Sequence, residues 1–223
     1  MSLRLTSLIE GEYFHVYNRG NSKQVIFKSL SDYERFKHLL YLSNSTESFS
    51  LRNIHRSEKD PFNIIIKNED KLVYIHAYCL MPNHYHFVIS SKVKDGITHF
   101  MQKLGTAYCM YFNKKYERTG SLFEGKFKAK HADTDEYLKY LFSYIHMNPL
   151  ALKDEDLHAN PLQDTRNNFD YLTTYKYSSL ADYVRNERKE KVIIDTTMYE
   201  EYLPSHNNIY TELQDWLEFE YAT

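Results

Sequence analysis

The chain has 223 residues, of which 42% are hydrophobic and 26% charged, and a formal net charge of −2. This composition excludes a disordered chain, and no run approaches the roughly 18 apolar residues of a membrane-spanning helix. The opening "MSLRLTSLIEGEYFHVYNRG" has no continuous apolar stretch before a small-residue cleavage site, and Cys79 and Cys109 form no C-x-x-C pair, so a soluble, cytoplasmic protein with reduced thiols is expected.

In chain order, "YFHVYNRG" at 13–20 alternates large apolar and polar residues and stops at a glycine, as a strand entering a turn does. "SDYERFKHLLYL" follows with Phe36, Leu39 and Leu40 at helical spacing behind a Ser31 or Asp32 cap. Residues 43–70 form a polar excursion in which "FNIII" predicts a short strand. "KLVYIHAYCL" and "HYHFVIS" predict two strands joined through Pro82 and Asn83. From Asp95 to Tyr116 the residues Ile97, Phe100, Met101, Leu104, Tyr108 and Tyr111 share one helical stripe, after which "GSLFEGKFKAK" returns to strand-like alternation. Asp133 and Glu136 predict a capping-box start for a helix over "TDEYLKYLFSYIHMN", and Pro149 ends it. The order β-α-excursion-β-β-α-β-α implies an α+β sandwich with helices covering one face of an antiparallel sheet. Beyond residue 150 the periodicity weakens, although "YSSLADYVRNE" and "YTELQDWLEFEY" each suit a helix.

Charge is unevenly placed. Residues 192–223 carry seven carboxylates and no Lys or Arg, leaving 28 basic residues against 23 acidic in the remainder. Lys114, Lys115, Arg118, Lys126, Lys128 and Lys130 lie within 17 positions, opposed by Glu117 and Glu124 and interleaved with Tyr111, Phe112, Tyr116, Phe123 and Phe127. Such a pattern is either a solvated charged face or a groove that follows phosphates while rings stack on bases.

In "MPNHYHFVIS" the period of a strand sends His84 and His86 to one face and Tyr85 to the other. Two imidazoles on one face either grip a metal or are half-buried histidines that happen to alternate. On the last helix, Leu138, Leu141, Phe142 and Ile145 define the core stripe; Tyr144 and Asn148, one turn apart, lie on one flank of it. If that helix packs beside the histidine strand, His84, His86 and Asn148 form an N,N,O ligand set next to Tyr144, suited to Mg²⁺ or Mn²⁺. His146 falls on the opposite flank and reads as structural, and His15 and His76, on predicted strands, read as packed or hydrogen-bonded. Arg19 and Asn18 sit in the first turn, as DNA contacts or as turn residues.

"FHVYNRGN", "IHAYCLMPNHYHFVIS", "TGSLFEGKFKAK" and "YLKYLFSYIHMNPL" resemble, in order, the sequence blocks of the single-tyrosine HUH transposases, in particular the REP-associated tyrosine transposases. The resemblance runs from about Tyr13 to Leu150, with an echo in "YKYSSLADY". It implies a ferredoxin/RRM-like antiparallel sheet with the catalytic tyrosine on a helix beside the HUH strand. It further implies His84, His86 and Asn148 as ligands of a divalent metal, Mg²⁺ or Mn²⁺, and Tyr144 as the nucleophile. The reaction implied is cleavage and rejoining of single-stranded or hairpin DNA through a 5′-phosphotyrosine, with Arg19 and the cluster from Lys114 to Lys130 contacting the DNA. Tyr85 stands where the family more usually has an aliphatic residue, and Tyr137 and Tyr140 lie near the flank of Tyr144.

The domain division expected is 1–150 for the catalytic unit and 151–223 for a partly helical extension, acidic at its end. Both self-sufficient monomers and homodimers that exchange the catalytic helix fit the resemblance. A non-catalytic nucleic-acid binder and a metal-dependent nuclease using water are the competing functions.

Overall fold

The computed structural model describes residues 8–49, 60–153, 165–184 and 188–202. Within them the chain runs β1 (Tyr13–Arg19), α1 (Leu30–Leu42), β2 (Val73–Met81), β3 (His84–Ser91), α2 (Gly96–Lys115), β4 (Lys128–His131) and α3 (Asp135–Met147). Shorter helices α4 (Thr165–Thr174), α5 (Leu180–Val184) and α6 (Thr197–Tyr202) follow. The sheet order is β2-β3-β1-β4 with every neighbour antiparallel. This is the α+β, ferredoxin-like βαββαβ arrangement, with α3 appended after the last strand.

Alternation along β3 divides the molecule. Tyr85 and Phe87 face α1 and α2, where Phe36 lies 5.3 Å and 6.4 Å from their rings; the Tyr85 hydroxyl meets the Asn18 side chain. His84 and His86 face the other way, toward α3, which packs on β2 and β3. Helices therefore cover both faces, a correction to the single covered face expected from sequence. The reason lies in β3 and β2, which are buried along almost their whole length and so have two apolar sides to shield.

Local chemistry moves several boundaries. Ser29, not Ser31 or Asp32, caps α1; Asp32 is the reciprocal member of a capping box, accepting from Ser29 N at 2.9 Å. Thr134, not Asp133, caps α3 by accepting from Tyr137 N at 3.1 Å. "FNIII" forms no strand: Asp60 accepts from Phe62 N and Pro61 starts a 3₁₀ turn at Pro61–Asn63, which buries Phe62 against Tyr41 and leaves Ile65 exposed. In "GSLFEGKFKAK" only Lys128 onward is strand, because Leu122 and Phe123 turn into the core and Gly125 takes a φ of 85°. The helix expected within "YSSLADYVRNE" is present as α5, whereas "YTELQDWLEFEY" lies outside the described residues.

Residues beyond 150 share the core of the sheet: Leu172, Leu180, Tyr183, Met198 and Tyr199 belong to the same buried cluster as Phe14 and Ile145. They also clamp α3. His146 Nε2 lies 2.7 Å from Ser179 Oγ, and the Phe142 ring packs edge-on against Tyr183 at 5.1 Å. A buried lysine ties α1 to this region, with Lys37 Nζ 2.6 Å from Glu190; Glu34, one turn away on the same helix, is 2.9 Å from it.

Asp32 is fully buried and accepts from Lys28 N, Ser29 N, Tyr111, Tyr116 and Lys115. Burial alone would raise its pKa, but Lys115 and the two phenols hold it below the usual carboxylate value. Asp32→Ala strands all of these donors and should cost at least about 3 kcal/mol in urea unfolding; an unchanged midpoint would contradict this role.

His146 and His76 are buried, His76 Nε2 lying 2.9 Å from Ser90 Oγ, and burial lowers their pKa values from 6.5 to about 3 and about 4. The unfolded chain therefore binds more protons than the folded one below pH 6.5, so the stability these rings contribute is complete above that pH and declines as pH falls toward 4 and 3. The melting temperature should be flat from about pH 8 to 6.5 and then drop. NMR signals of both rings in the folded protein should keep their neutral positions at about pH 5.

Candidate active site

The site forms where β1, β3 and the last turn of α3 meet. In the β1–β3 register Tyr17 is opposite His86 and Arg19 is opposite His84. On α3 the buried Leu138, Leu141, Phe142 and Ile145 seat the helix, which leaves Tyr144 half-buried on the flank that faces β1 and β3. The Tyr144 ring stands edge-on to His86 at 5.5 Å and to His15 at 6.0 Å between centroids. Asn148, at the helix end, donates from Nδ2 to the Tyr144 carbonyl at 2.8 Å, and its side chain also hydrogen-bonds His84. The helix stops here because Pro149 has no N–H and sits in a 3₁₀ turn, Asn148–Leu152.

His84, His86, Tyr144 and Asn148 thus converge within one chain. The two imidazoles lie 5.0 Å apart at 85°. Burial lowers the pKa of His84, the Asn148 contact opposes that shift, and Arg19 adds to it. His86 is pushed far down, by burial first and then by His15 and His84. Both rings are therefore neutral near pH 7, with lone pairs available to an electrophile. Tyr85, between them in sequence, is buried on the opposite face of the sheet.

Two further residues belong to this site: His15, which the sequence reads as packed or hydrogen-bonded, and Tyr17, which the sequence reading does not single out. His15 Nε2 lies 2.8 Å from His86 Nδ1, and the Tyr17 ring stacks 5.7 Å from His86. The signal was present: His15 and Tyr17 share the period-2 face that the His84–His86 reading used, but which strands are neighbours is not written in a local pattern. His76 and His146 lie outside the site, each bonded to a serine. Tyr137 and Tyr140 form a stacked ladder with Tyr144, at 6.0 and 5.9 Å spacing, that leads away from the histidines to Lys130, whose Nζ lies 4.2 Å from the Tyr137 ring.

The basic cluster divides. Lys128 and Lys130 are exposed on the edge strand β4, opposite Tyr17 and His15 and so on the site face. Arg19 is bound by Glu124 through Nε and, at 3.1 Å, through Nη2. Lys115 is turned to the far side, held by Asp32 at 2.6 Å, and Arg118 covers the Phe112 ring, while Lys114 is exposed. Lys126 and Lys128 border a groove of about 1140 Å³ between α2 and β4, with Met101, Met110 and Phe127. The interleaved rings expected to stack on bases are mostly committed: Phe112 and Phe123 are buried, and the Tyr111 and Tyr116 hydroxyls bond Asp32.

Among the described residues no group of three or more His, Cys, Asp or Glu gathers as a metal cage, and no helix is long and apolar enough to cross a membrane.

The fold is an α+β antiparallel sheet with His84, His86, Tyr144 and Asn148 gathered on one face of it. Residues 38–148, from within α1 to the amide that follows α3, match the family model "Transposase IS200 like". The chain belongs to this single-tyrosine HUH transposase superfamily. A solved structure described as "Structure of the REP associates tyrosine transposase bound to a REP hairpin" superposes with a TM-score of 0.46 and 12% identity, over 85% of this chain and 90% of that chain. No curated protein matches the chain.

The divided roles of the lysines can be measured. Lys115→Ala should lower the melting temperature by leaving buried Asp32 short of its cation, whereas Lys128→Ala should stay within about 0.5 kcal/mol of the parent. Equal stability of the two variants would remove the distinction.

Proposed function

We propose that this transposase cleaves and rejoins single-stranded or hairpin-bearing DNA with Tyr144 as nucleophile. The observation that carries the reading is the convergence of the Tyr144 ring on His86 while Asn148 reaches His84. The phenol gives up its proton and its oxygen attacks a backbone phosphorus, the bond from phosphorus to the 3′ oxygen breaks, and that oxygen takes up one proton and leaves as a 3′-hydroxyl, so no net proton is consumed. The product is a 5′-phosphotyrosine. One phosphodiester has replaced another, so the bond energy is kept and the 3′-hydroxyl can reverse the step. Water as nucleophile would discard it.

The donor set fits a divalent cation. His84 has an oxygen acceptor on both sides, Asn83 Oδ1 at 2.6 Å from Nδ1 and the Asn148 amide, although a neutral imidazole has a single proton to give. A cation on the remaining nitrogen, shared with the Asn148 oxygen, suits that arrangement. His84, His86 and Asn148 would hold the ion, Mg²⁺ or Mn²⁺, which when bound supplies Lewis-acid stabilisation of charge on the phosphate oxygens. The chain's own residues do the rest. α3 presents the phenol, the Asn148 bond to the Tyr144 carbonyl fixes the last turn, and Lys128 and Lys130 place positive charge on the face where a DNA backbone would run, with Arg19 beside them able to reach a phosphate by leaving Glu124. The tyrosine lies beside the histidines of its own chain, which supports a chain that completes its site without a partner's helix.

Incubation with single-stranded hairpin DNA and Mn²⁺ should yield a protein–DNA species that survives denaturant and disappears in Tyr144→Phe. His84→Ala should lose the activity while keeping its fold by circular dichroism. Cleavage that persists in Tyr144→Phe would favour a water-using nuclease. A gel shift with no cleavage would favour a simple binder.

A further inference from the structure

Both candidate ligand histidines are tied at Nδ1. His84 Nδ1 lies 2.6 Å from Asn83 Oδ1, and Asn83 Nδ2 donates to the Lys23 carbonyl at 3.3 Å. A carbonyl only accepts, so the amide of Asn83 has its nitrogen toward Lys23 and its oxygen toward His84. His84 Nδ1 must then be the donor. The second ring is tied at the same atom: His86 Nδ1 lies 2.8 Å from His15 Nε2, a pair in which either nitrogen can donate, and the two rings stack 5.0 Å apart at 23°. His15 is carried by β1 two residues from Tyr17, the register partner of His86, and so on the same face, and it is buried, so water does not substitute for it.

We infer that His15 and Asn83 are positioning residues that hold His86 and His84 with the proton on Nδ1 and the lone pair on Nε2. Neither touches the reacting atoms. Asn83 removes one of the two tautomers open to His84, and His15, with its own proton on Nδ1 and Nε2 accepting, does the same for His86; each contact also stops rotation of the ring it holds. Partners of this kind orient metal-binding histidines and raise their basicity, and their loss typically weakens metal affinity about 10- to 100-fold. This inference rests on the metal reading of His84 and His86 given above.

The test uses the full chain, first without metal. Long-range ¹H–¹⁵N spectra of ¹⁵N-histidine-labelled protein should show His84 and His86 as Nδ1–H tautomers; an Nε2–H tautomer at either ring overturns the inference whatever the activity. Mn²⁺ binding is then read by electron paramagnetic resonance. His15→Phe and Asn83→Leu should each weaken it about 10- to 100-fold with the fold retained by circular dichroism, while His15→Gln and Asn83→Asp, which keep an acceptor, recover most of the loss. Wild-type Mn²⁺ affinity in folded His15→Phe and Asn83→Leu overturns the positioning role and leaves the metal reading intact. If the parent binds no Mn²⁺, or His84→Ala binds it equally well, the metal reading itself fails and this inference falls with it.

Discussion

The pairing of β1 with β3 is the constraint on which the rest of the molecule depends. The pairs Tyr17–His86 and Arg19–His84 decide which side chains face which layer. Because the side-chain period of a strand is two residues, a slip by one would send His84 and His86 into the aromatic layer of Phe36 and Tyr108, and Tyr85 and Phe87 out beneath α3. That exchange is strongly disfavoured. Tyr85 and Phe87 are almost fully buried, worth roughly 1.5–3 kcal/mol for a side chain of this size, and two neutral imidazoles in the aromatic layer would lose their partners. The hydrophobic packing on one face of the sheet thus sets the register of the polar constellation on the other.

The helix that carries Tyr144 is held from both sides. Its apolar stripe lies on β2 and β3, and the segment beyond residue 150 closes over it through Ser179, Tyr183 and Tyr199. That segment is itself anchored to the sheet: Ser179 N donates to the Tyr78 carbonyl at 2.9 Å, Leu80 N donates to Tyr177, and Tyr175 donates to the Leu80 carbonyl at 2.8 Å. Groups built on rigid elements and locked by packing keep a reactive geometry better than groups on loops. Residues with no part in the chemistry thereby determine where the phenol sits.

How much of this was legible follows from whether the signal is local. Strands β1, β2 and β3 and helices α1, α2 and α3 were readable because period and stripe are properties of contiguous residues, and the four-residue step from Tyr144 to Asn148 needs only helix geometry. The one-face expectation failed because a strand buried on both sides does not reveal what buries each side. His15 was set aside for a related reason: its partner is 71 positions away, and only the sheet order makes β1 the neighbour of β3. Lys115 was grouped with its sequence neighbours by charge, although its role is set by Asp32, 83 positions earlier. Caps missed by one to three residues reflect Ser and Thr competing with Asp for the same backbone donors.

The electrostatics of the site carry one further consequence. Tyr144 and Asn148 sit at the C-terminal end of α3, where the helix dipole contributes partial negative charge. Such an end favours a cation and disfavours both a phenolate and an approaching phosphate. A helix end alone would therefore oppose the proposed reaction. Positive charge has to come from elsewhere, and the edge strand supplies it: Lys128 opposite Tyr17 and Lys130 opposite His15, whereas Arg19 at the His84 register position is paired with Glu124. The imidazoles cannot take that part, because burial keeps them neutral. Their neutrality is instead what leaves them able to bind a metal. Neutral imidazoles in the middle, exposed lysines at the rim and the negative end of a helix behind them form the field in which the proposed reaction would have to run.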